Sequence, residues 1–213
     1  MGIVLINDST LTSIADAIRE KTGETETYKP AEMPQAILSI VGDGGDINTE
    51  LFLSYNSNTL TEEQIQMLLD SIGAATSHGS IRNYLFYMAY EAIDIVIPDT
   101  IAYIGSHAFE SCTNLEKVKI SNVIENIHEN AFAYTGLTTV TLPTSLSNLG
   151  RYAFFKCESL KTVYFEGKPR SIHKFTFNGC NALTDIYVPW AEGEVADAPW
   201  GATNATIHYN YKE

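Results

Sequence analysis

Hydrophobic residues recur at a regular interval in the second half of the chain. The segment IGSHAFESCTNLEKVKI is followed by IHENAFAYTGLTTVTL, LGRYAFFKCESLKTVYF and IHKFTFNGCNALTDIYV. Three apolar columns repeat every 22 or 23 residues: Phe109, Phe132, Phe154 and Phe177; Leu115, Leu137, Leu160 and Leu183; Val118, Val140, Val163 and Ile186. Self-similarity at this period predicts stacked coils, because one coil cannot bury its apolar face without a neighbour.

Two coils depart from the strict pattern. The AYTGL repeat is one residue short, and the missing residue is expected where the other repeats carry a cysteine. A degenerate copy, IRNYLFYMAYEAIDIVI, lies upstream and places Ile81, Phe86, Ile95 and Ile97 in the repeat columns. A terminal coil is expected to be atypical because one of its faces has no neighbour. Each coil is expected to contain a short strand with alternating apolar residues that ends at a proline, as at Pro98, Pro143 and Pro189.

The expected fold class is α+β: a short solenoid of four to five repeats with a small N-terminal helical module. The predicted organisation is a helical attachment module at 1–42, a linker at 43–60, a capping helix at 61–80, the solenoid at 81–189 and a C-terminal cap at 190–213.

Two amphipathic helices are predicted before the linker. Their apolar positions are Leu11, Ile14 and Ile18 in the first and Ile37 and Ile40 in the second. Helices this short are marginal alone, so we expect these residues to attach the chain to a partner or to other copies of itself. The GDGGD segment at 42–46 is typical of a flexible joint; a calcium loop is the alternative, although the regular ligand spacing of such loops is missing.

The two ends of the solenoid are predicted to be capped. Thr61 and Gln64 form a T-x-x-Q capping box ahead of an apolar face, and Gly73 is expected to end that helix. The helix would cover the open first coil. Trp190 and Trp200 are expected to plug the last coil; stacking on carbohydrate at an exposed rim is the alternative.

Charge and composition limit the classes of partner that we expect. The net charge of −13 and the lack of a basic cluster argue against nucleic acid and against an anionic membrane surface. No apolar run is long enough to cross a bilayer, and the N-terminus has no basic region typical of a signal peptide. We therefore expect a protein made in the cytoplasm, without membrane insertion.

No motif indicates catalysis, a cofactor or a metal. Cys112, Cys157 and Cys180 lack a C-x-x-C pair and are expected to be buried thiols; Cys157 and Cys180 lie on adjacent coils, where spacing alone would allow a disulfide. His128 and His173 fall in one repeat slot two coils apart, too far to share a metal. The chain is therefore expected to be non-enzymatic, although paired carboxylates for glycan cleavage remain open.

Strand alternation directs a second set of residues outward. These positions vary in type while the inward ones repeat, and they are expected to form one continuous sheet face: Lys117, Lys119, Thr139, Thr141, Thr162, Tyr164, Asp185 and Tyr187. Tyr164 and Tyr187 would lie side by side as anchors for a protein or glycan ligand. A solvated face without a ligand is the alternative.

The consensus Ile-Pro-x-x-Ile-x-x-Ile-Gly-x-x-Ala-Phe-x-x-Cys-x-x-Leu-x-x-Val over residues 81–189 resembles the BspA-type leucine-rich repeats of bacterial surface proteins and gut-bacterial prophages. IADAIREKTG and KPAEMPQAILSI, within residues 8–42, are similar to a module of tail and baseplate-associated proteins from phages of Gram-positive gut bacteria.

The resemblance implies a virion tail-fibre protein that binds a host-cell surface protein or glycan and contacts other tail or baseplate proteins. It further suggests a homotrimer formed through residues 1–60. A bacterial surface adhesin and a purely structural tail protein are the alternatives.

Overall fold

The computed structural model describes residues 60–75 and 79–212. The two predicted attachment helices, with Leu11, Ile14, Ile18, Ile37 and Ile40, and nearly all of the predicted linker lie outside the described residues.

The described chain begins with one helix and continues as short strands. Helix α1 spans Glu62–Ala75. The strands are β1 (Gly79–Ile81), β2 (Asp94–Val96), β3 (Ile101–Ile104), β4 (Lys117–Lys119), β5 (Asn126–Ile127), β6 (Thr139–Leu142), β7 (Asn148–Leu149), β8 (Thr162–Phe165), β9 (Ser171–Ile172), β10 (Asp185–Tyr187) and β11 (Thr206–His208).

The coils form two columns of parallel strands, and every coil but the last contributes to both. One column runs β1-β3-β5-β7-β9. The other contains the predicted strands and consists of two sheets, β2-β4 and β6-β8-β10-β11. The prediction of one strand per coil was therefore incomplete. The first column escapes detection because strands such as Asn126–Ile127 are too short to show alternation.

The predicted apolar columns form the core. Phe86, Phe109, Phe132, Phe154 and Phe177 are fully buried. Their rings stack along the solenoid at centroid distances of 5.2, 5.2, 5.4 and 5.6 Å, with interplanar angles of 16° or less. The successive layering is therefore confirmed, including the degenerate first copy. Aromatic contacts of this kind contribute about 0.5–1.5 kcal/mol each beyond area burial.

The short repeat loses its residue at a different place from the one predicted. Thr135 occupies the slot of the cysteines: its hydroxyl donates to Phe132 O at 2.9 Å and lies 3.2 Å from Cys157 Sγ. The deletion falls one residue later, at Gly136. A Cβ on Gly136 would lie 2.5 Å from Thr113 O, so the shortened turn is accommodated only without a side chain.

The second strand column is interrupted at this short coil. Strands β4 and β6 belong to different sheets, although the Thr138 N–H still donates to Glu116 O at 3.3 Å. Val118, predicted to point into the core, is partly exposed. The expected face is therefore not one continuous sheet: strand pairing is interrupted between β4 and β6, where the short coil lies, although the backbone hydrogen bond there keeps the repeat register.

Helix α1 closes the first coil. Ile65 and Leu69 are fully buried. Gly73 does not end the helix as predicted but lies inside it, where a Cβ would come within 2.7 Å of Thr100 Oγ1 and 2.8 Å of Pro98 Cβ. The glycine therefore permits close packing of the helix on the coil. The Gln64 side chain lies outside the described residues, so the capping box stays a prediction.

The last coil extends the solenoid beyond residue 189. Thr206–His208 pairs in parallel with Asp185–Tyr187, which gives the second column six strands where four to five repeats were expected. Residues 190–213 lack the repeat signature, so this coil is visible only in the structure. Trp200 is fully buried and Trp190 is 5% exposed. Their burial supports the plug and removes the alternative of carbohydrate stacking at an exposed rim.

Candidate recognition face

The predicted recognition residues lie on two outward columns of the second strand ladder. Thr139, Thr162 and Asp185 are in register in one column, and Thr141, Tyr164 and Tyr187 in the other. These six residues share the sheet formed by β6, β8, β10 and β11. Lys117 and Lys119 lie in the separate β2-β4 sheet, opposite Asp94 and Val96. The structure therefore brings six of the eight residues onto one sheet and leaves the lysines on another.

An aromatic cluster occupies the C-terminal end of this face. The rings of Tyr164 and Tyr187 stack at 4.8 Å with an interplanar angle of 11°, which confirms their predicted adjacency. His208 continues the stack at 4.4 Å from Tyr187. The Tyr211 ring lies 4.9 Å from Tyr187 and 5.9 Å from Tyr164. These four residues, here called the aromatic cluster, are all half-buried.

His208 and Tyr211 were missed by the sequence analysis. Both lie in the segment that breaks the repeat, so no column position pointed to them. The one available signal was the alternation of Thr206, Ile207 and His208, which matches that of Asp185, Ile186 and Tyr187. The aromatic cluster is therefore twice as large as the predicted tyrosine pair.

Polar contacts of Asp185 hold His208 in the aromatic cluster. His208 Nε2 lies 2.7 Å from Asp185 Oδ1, and the Thr184 hydroxyl donates to Asp185 Oδ2 at 2.8 Å. The hydrogen bond from His208 and the one from Thr184 lower the pKa of Asp185. Burial and the neighbouring Asp185 carboxylate raise the pKa of Tyr187. The face thus presents aromatic rings beside a carboxylate that is already paired with His208 and Thr184.

The cysteines are structural. Cys112, Cys157 and Cys180 are free and buried, and their thiols donate to the carbonyls of Phe86, Phe132 and Phe154 at 3.1, 3.1 and 2.9 Å. Burial raises the pKa of Cys112 to about 12. The hydrogen bond with Cys157, together with burial, raises the pKa of Cys180. A nucleophilic thiol requires a lowered pKa together with access to a substrate. At Cys157 burial is outweighed by hydrogen bonds with Cys180 and Thr135, which lower the pKa, but its side chain is fully buried.

The described part of the chain shows neither a cluster of metal ligands nor a membrane-spanning helix. His128 and His173 occupy equivalent slots, since their N–H groups donate to Ile104 O and Leu149 O of the preceding coils. Within residues 60–75 and 79–212, no group of three or more His, Cys, Asp or Glu side chains is placed to hold a metal ion. In that same part of the chain, no helix has both the length and the hydropathy needed for a membrane span.

The chain is similar to several solved structures, among them leucine-rich repeat proteins. The T. pallidum leucine rich repeat protein (TpLRR) is 25% identical, with a TM-score of 0.49 over 62% of this chain and 63% of that chain. A leucine-rich repeat protein from Bacteroides ovatus is 27% identical, with a TM-score of 0.38 over 52% of this chain and 35% of the other. The pneumococcal vaccine antigen PcpA is 17% identical, with a TM-score of 0.45 over 66% and 43%. The chain thus spans less than two thirds of the length of each.

The sequence matches a protein-family model over most of the solenoid. No curated protein matches the sequence. The family model described as "BspA type Leucine rich repeat region" matches in six copies over residues 79–196, more than half of the chain. Repeats of this family form interaction surfaces and are generally non-enzymatic. This chain therefore belongs to the BspA-type leucine-rich repeat family.

Proposed function

We propose that this protein is a non-enzymatic receptor-binding component of a phage tail, and that the aromatic cluster contacts a protein or glycan on the host-cell surface. The observation that carries the proposal is the stack of Tyr164, Tyr187 and His208, flanked by Tyr211, on an outward strand face.

The physical support is the contrast between inward and outward columns. The buried columns repeat Phe, Leu and Val because the core must stack, whereas the outward positions are free of that constraint. In the second outward column the residue changes from Thr141 to Tyr164, Tyr187 and His208 along the C-terminal coils. Mutually packed rings lose little conformational entropy on binding, and tyrosine is enriched among residues that dominate binding energy.

The phage setting rests on the resemblance of residues 8–42 to a tail and baseplate module. In this setting Leu11, Ile14, Ile18, Ile37 and Ile40 attach the chain to other tail or baseplate proteins, residues 1–60 form a homotrimer, and the protein resides in the virion tail. The alternatives are a bacterial surface adhesin, with which the family match is compatible, and a purely structural tail protein.

Binding is tested with the full-length protein on a panel of Gram-positive gut bacteria. Tyr187→Thr introduces the residue found at the equivalent position of β6, Thr141. Strand β10 should therefore still form. We expect an increase in Kd of about tenfold or more for cells that bind the wild type, since a hot-spot tyrosine contributes about 2 kcal/mol. Lys119→Thr, in the same column of the other sheet, is the matched control and should change Kd less than twofold.

The setting is tested separately by labelling the C-terminus and imaging by electron microscopy. Label at the distal tip of phage tails supports the proposal, whereas label on the bacterial envelope favours the adhesin. Label inside the tail together with an unchanged Kd for Tyr187→Thr would leave only the structural role.

A further inference from the structure

A second surface combines aromatic rings with positive charge. It lies on the turns that follow β7 and β9, in coil segments that do not contribute to the strand face. We call it the turn ridge, and it consists of Arg151, Tyr152, Phe155, Lys156, Lys174 and Phe175.

The rings of the turn ridge contact one another across two coils. Tyr152 lies 4.9 Å from Phe155 within one coil and 5.8 Å from Phe175 of the next, the latter with an interplanar angle of 16°. Phe155 also contacts Tyr134 of the preceding coil at 5.4 Å. All three ridge rings are half-buried, and Tyr134 is 40% exposed. The rings therefore form a preorganised apolar strip along the solenoid axis.

Each exposed cation of the turn ridge lies against a ring. Arg151 Cζ is 4.6 Å from the centroid of Tyr152, Lys174 Nζ is 5.0 Å from Phe175, and Lys156 Nζ is 5.6 Å from Phe155. A cation–aromatic pair thus recurs 23 residues apart, as Arg151-Tyr152 and Lys174-Phe175. The described part of the chain supplies no carboxylate that forms an ion pair with any of the three, whereas Lys168 is paired with Glu194 at 2.6 Å.

The local charge is opposite to that of the whole chain. The protein has a net charge of −13. Of the six residues of the turn ridge, three are cationic and none is acidic. Charge complementarity therefore indicates an anionic ligand.

We propose that the turn ridge binds an anionic polysaccharide, namely a chain of uronic-acid units. Each unit combines a pyranose face that packs on an aromatic ring with a carboxylate that pairs with Lys or Arg. The recurring cation–aromatic pair presents this combination on two successive coils, with the rings of Tyr152 and Phe175 5.8 Å apart. Arg151 and Lys174 are long, exposed side chains, so they can turn from the ring to the carboxylate and free the ring face. An acidic peptide would pair with the Lys and Arg side chains but has no sugar face to pack on the aromatic rings.

This inference is independent of the receptor proposed for the aromatic cluster. It is tested on the full chain by measuring Kd for polygalacturonate in low-salt buffer, with neutral dextran and poly-glutamate as comparison probes. The triple variant Arg151→Gln, Lys156→Gln, Lys174→Gln should raise the Kd at least tenfold, because it removes three charge contacts. Added salt should weaken wild-type binding.

Two further variants make the test specific. Tyr152→Asn removes a ring but keeps the backbone, since Tyr152 and Asn130 occupy the same slot with φ of 56° and 53°. It should raise the Kd for polygalacturonate about fivefold. The control triple Lys117→Gln, Lys119→Gln, Lys161→Gln makes the same change in net charge away from the ridge and should stay within twofold. Circular dichroism establishes that each variant is folded.

Several results would overturn the proposal that the turn ridge binds a uronic-acid chain. An equal loss in the control triple would show attraction by overall charge and overturn the site. The ridge would instead be assigned to acidic peptides if two results were obtained together. Poly-glutamate would have to bind as tightly as polygalacturonate, and Tyr152→Asn would have to leave the Kd unchanged. Equal binding of dextran, or no binding of polygalacturonate by the wild type, would also overturn the proposal.

Discussion

The two ends of the solenoid are closed by different interactions. At the N-terminal end, side chains of α1 bond to the backbone of the outermost strand β2. Glu62 Oε1 accepts from the N–H groups of Ile93 and Asp94 at 3.2 and 2.5 Å. Gln66 accepts from the Val96 N–H at 3.0 Å and donates to Val96 O at 2.8 Å. At the C-terminal end, closure depends on two buried tryptophans and the additional strand β11.

This difference follows from what each end would otherwise expose. Strand β2 is the edge of a parallel sheet, and its unpaired N–H and C=O groups would be open to pairing with another chain. Glutamate and glutamine side chains replace the missing neighbour strand. The last coil has Gly201 beside Trp200 and lacks the consensus Phe, Cys and Leu. Without a large apolar side chain, its part of the core would be incompletely filled. Trp200 provides that volume, and its indole N–H donates to Ala196 O at 2.8 Å.

The largest predicted effect is at the C-terminal end. Trp200→Ala should lower the free energy of unfolding by about 3–5 kcal/mol, because it empties a fully buried site among Phe165 and Trp190. Denaturant unfolding of the full chain measures the loss. Trp200→Phe, which retains most of the ring volume, should lose clearly less. A loss below about 1 kcal/mol for the alanine variant would mean that the tryptophan plug is not what stabilises this end.

A smaller effect is predicted at the N-terminal end. Gln66→Ala should lower the free energy of unfolding by about 1–3 kcal/mol, because it removes both hydrogen bonds to Val96 and leaves an edge strand unsatisfied. The exposed edge should also increase self-association, measurable by light scattering. Glu63→Ala changes an exposed residue of the same helix and should alter stability by less than about 0.5 kcal/mol. Equal effects of the two variants would contradict the capping role.

The smallest effect concerns pH at the C-terminal end. The pKa of Asp185 is lowered in the folded state, so its ionised form stabilises the fold above the ordinary pKa of 3.8. That contribution should be lost progressively as the pH falls below this value. Thermal unfolding between pH 7 and pH 3 should show a steeper decline in Tm for the wild type than for Asp185→Asn. Parallel curves would show that the contact with His208 contributes nothing to stability.

The candidate site was only partly predictable. The period of the repeat placed Tyr164 and Tyr187 in one column, and their stacking follows from parallel register alone. The same reasoning did not place Lys117 and Lys119 correctly, because strand pairing is interrupted between β4 and β6 and the lysines lie in the other sheet. The deletion itself was misplaced: Thr135 lies three residues after Phe132, as each cysteine follows its phenylalanine, and its contacts with Phe132 and Cys157 confirm that it fills the cysteine slot.

The sequence by itself determined the repeat period, the buried Phe and Leu columns and the apolar face of α1, because these depend on apolar residues that recur at fixed spacing. Only the tertiary structure decided the second strand column, the sixth strand, the contacts of Glu62 and Gln66 with β2, and the place of His208 and Tyr211 beside Tyr187. Those features join residues through backbone pairing or across segments without a repeat, where no periodic pattern marks which side chains will meet.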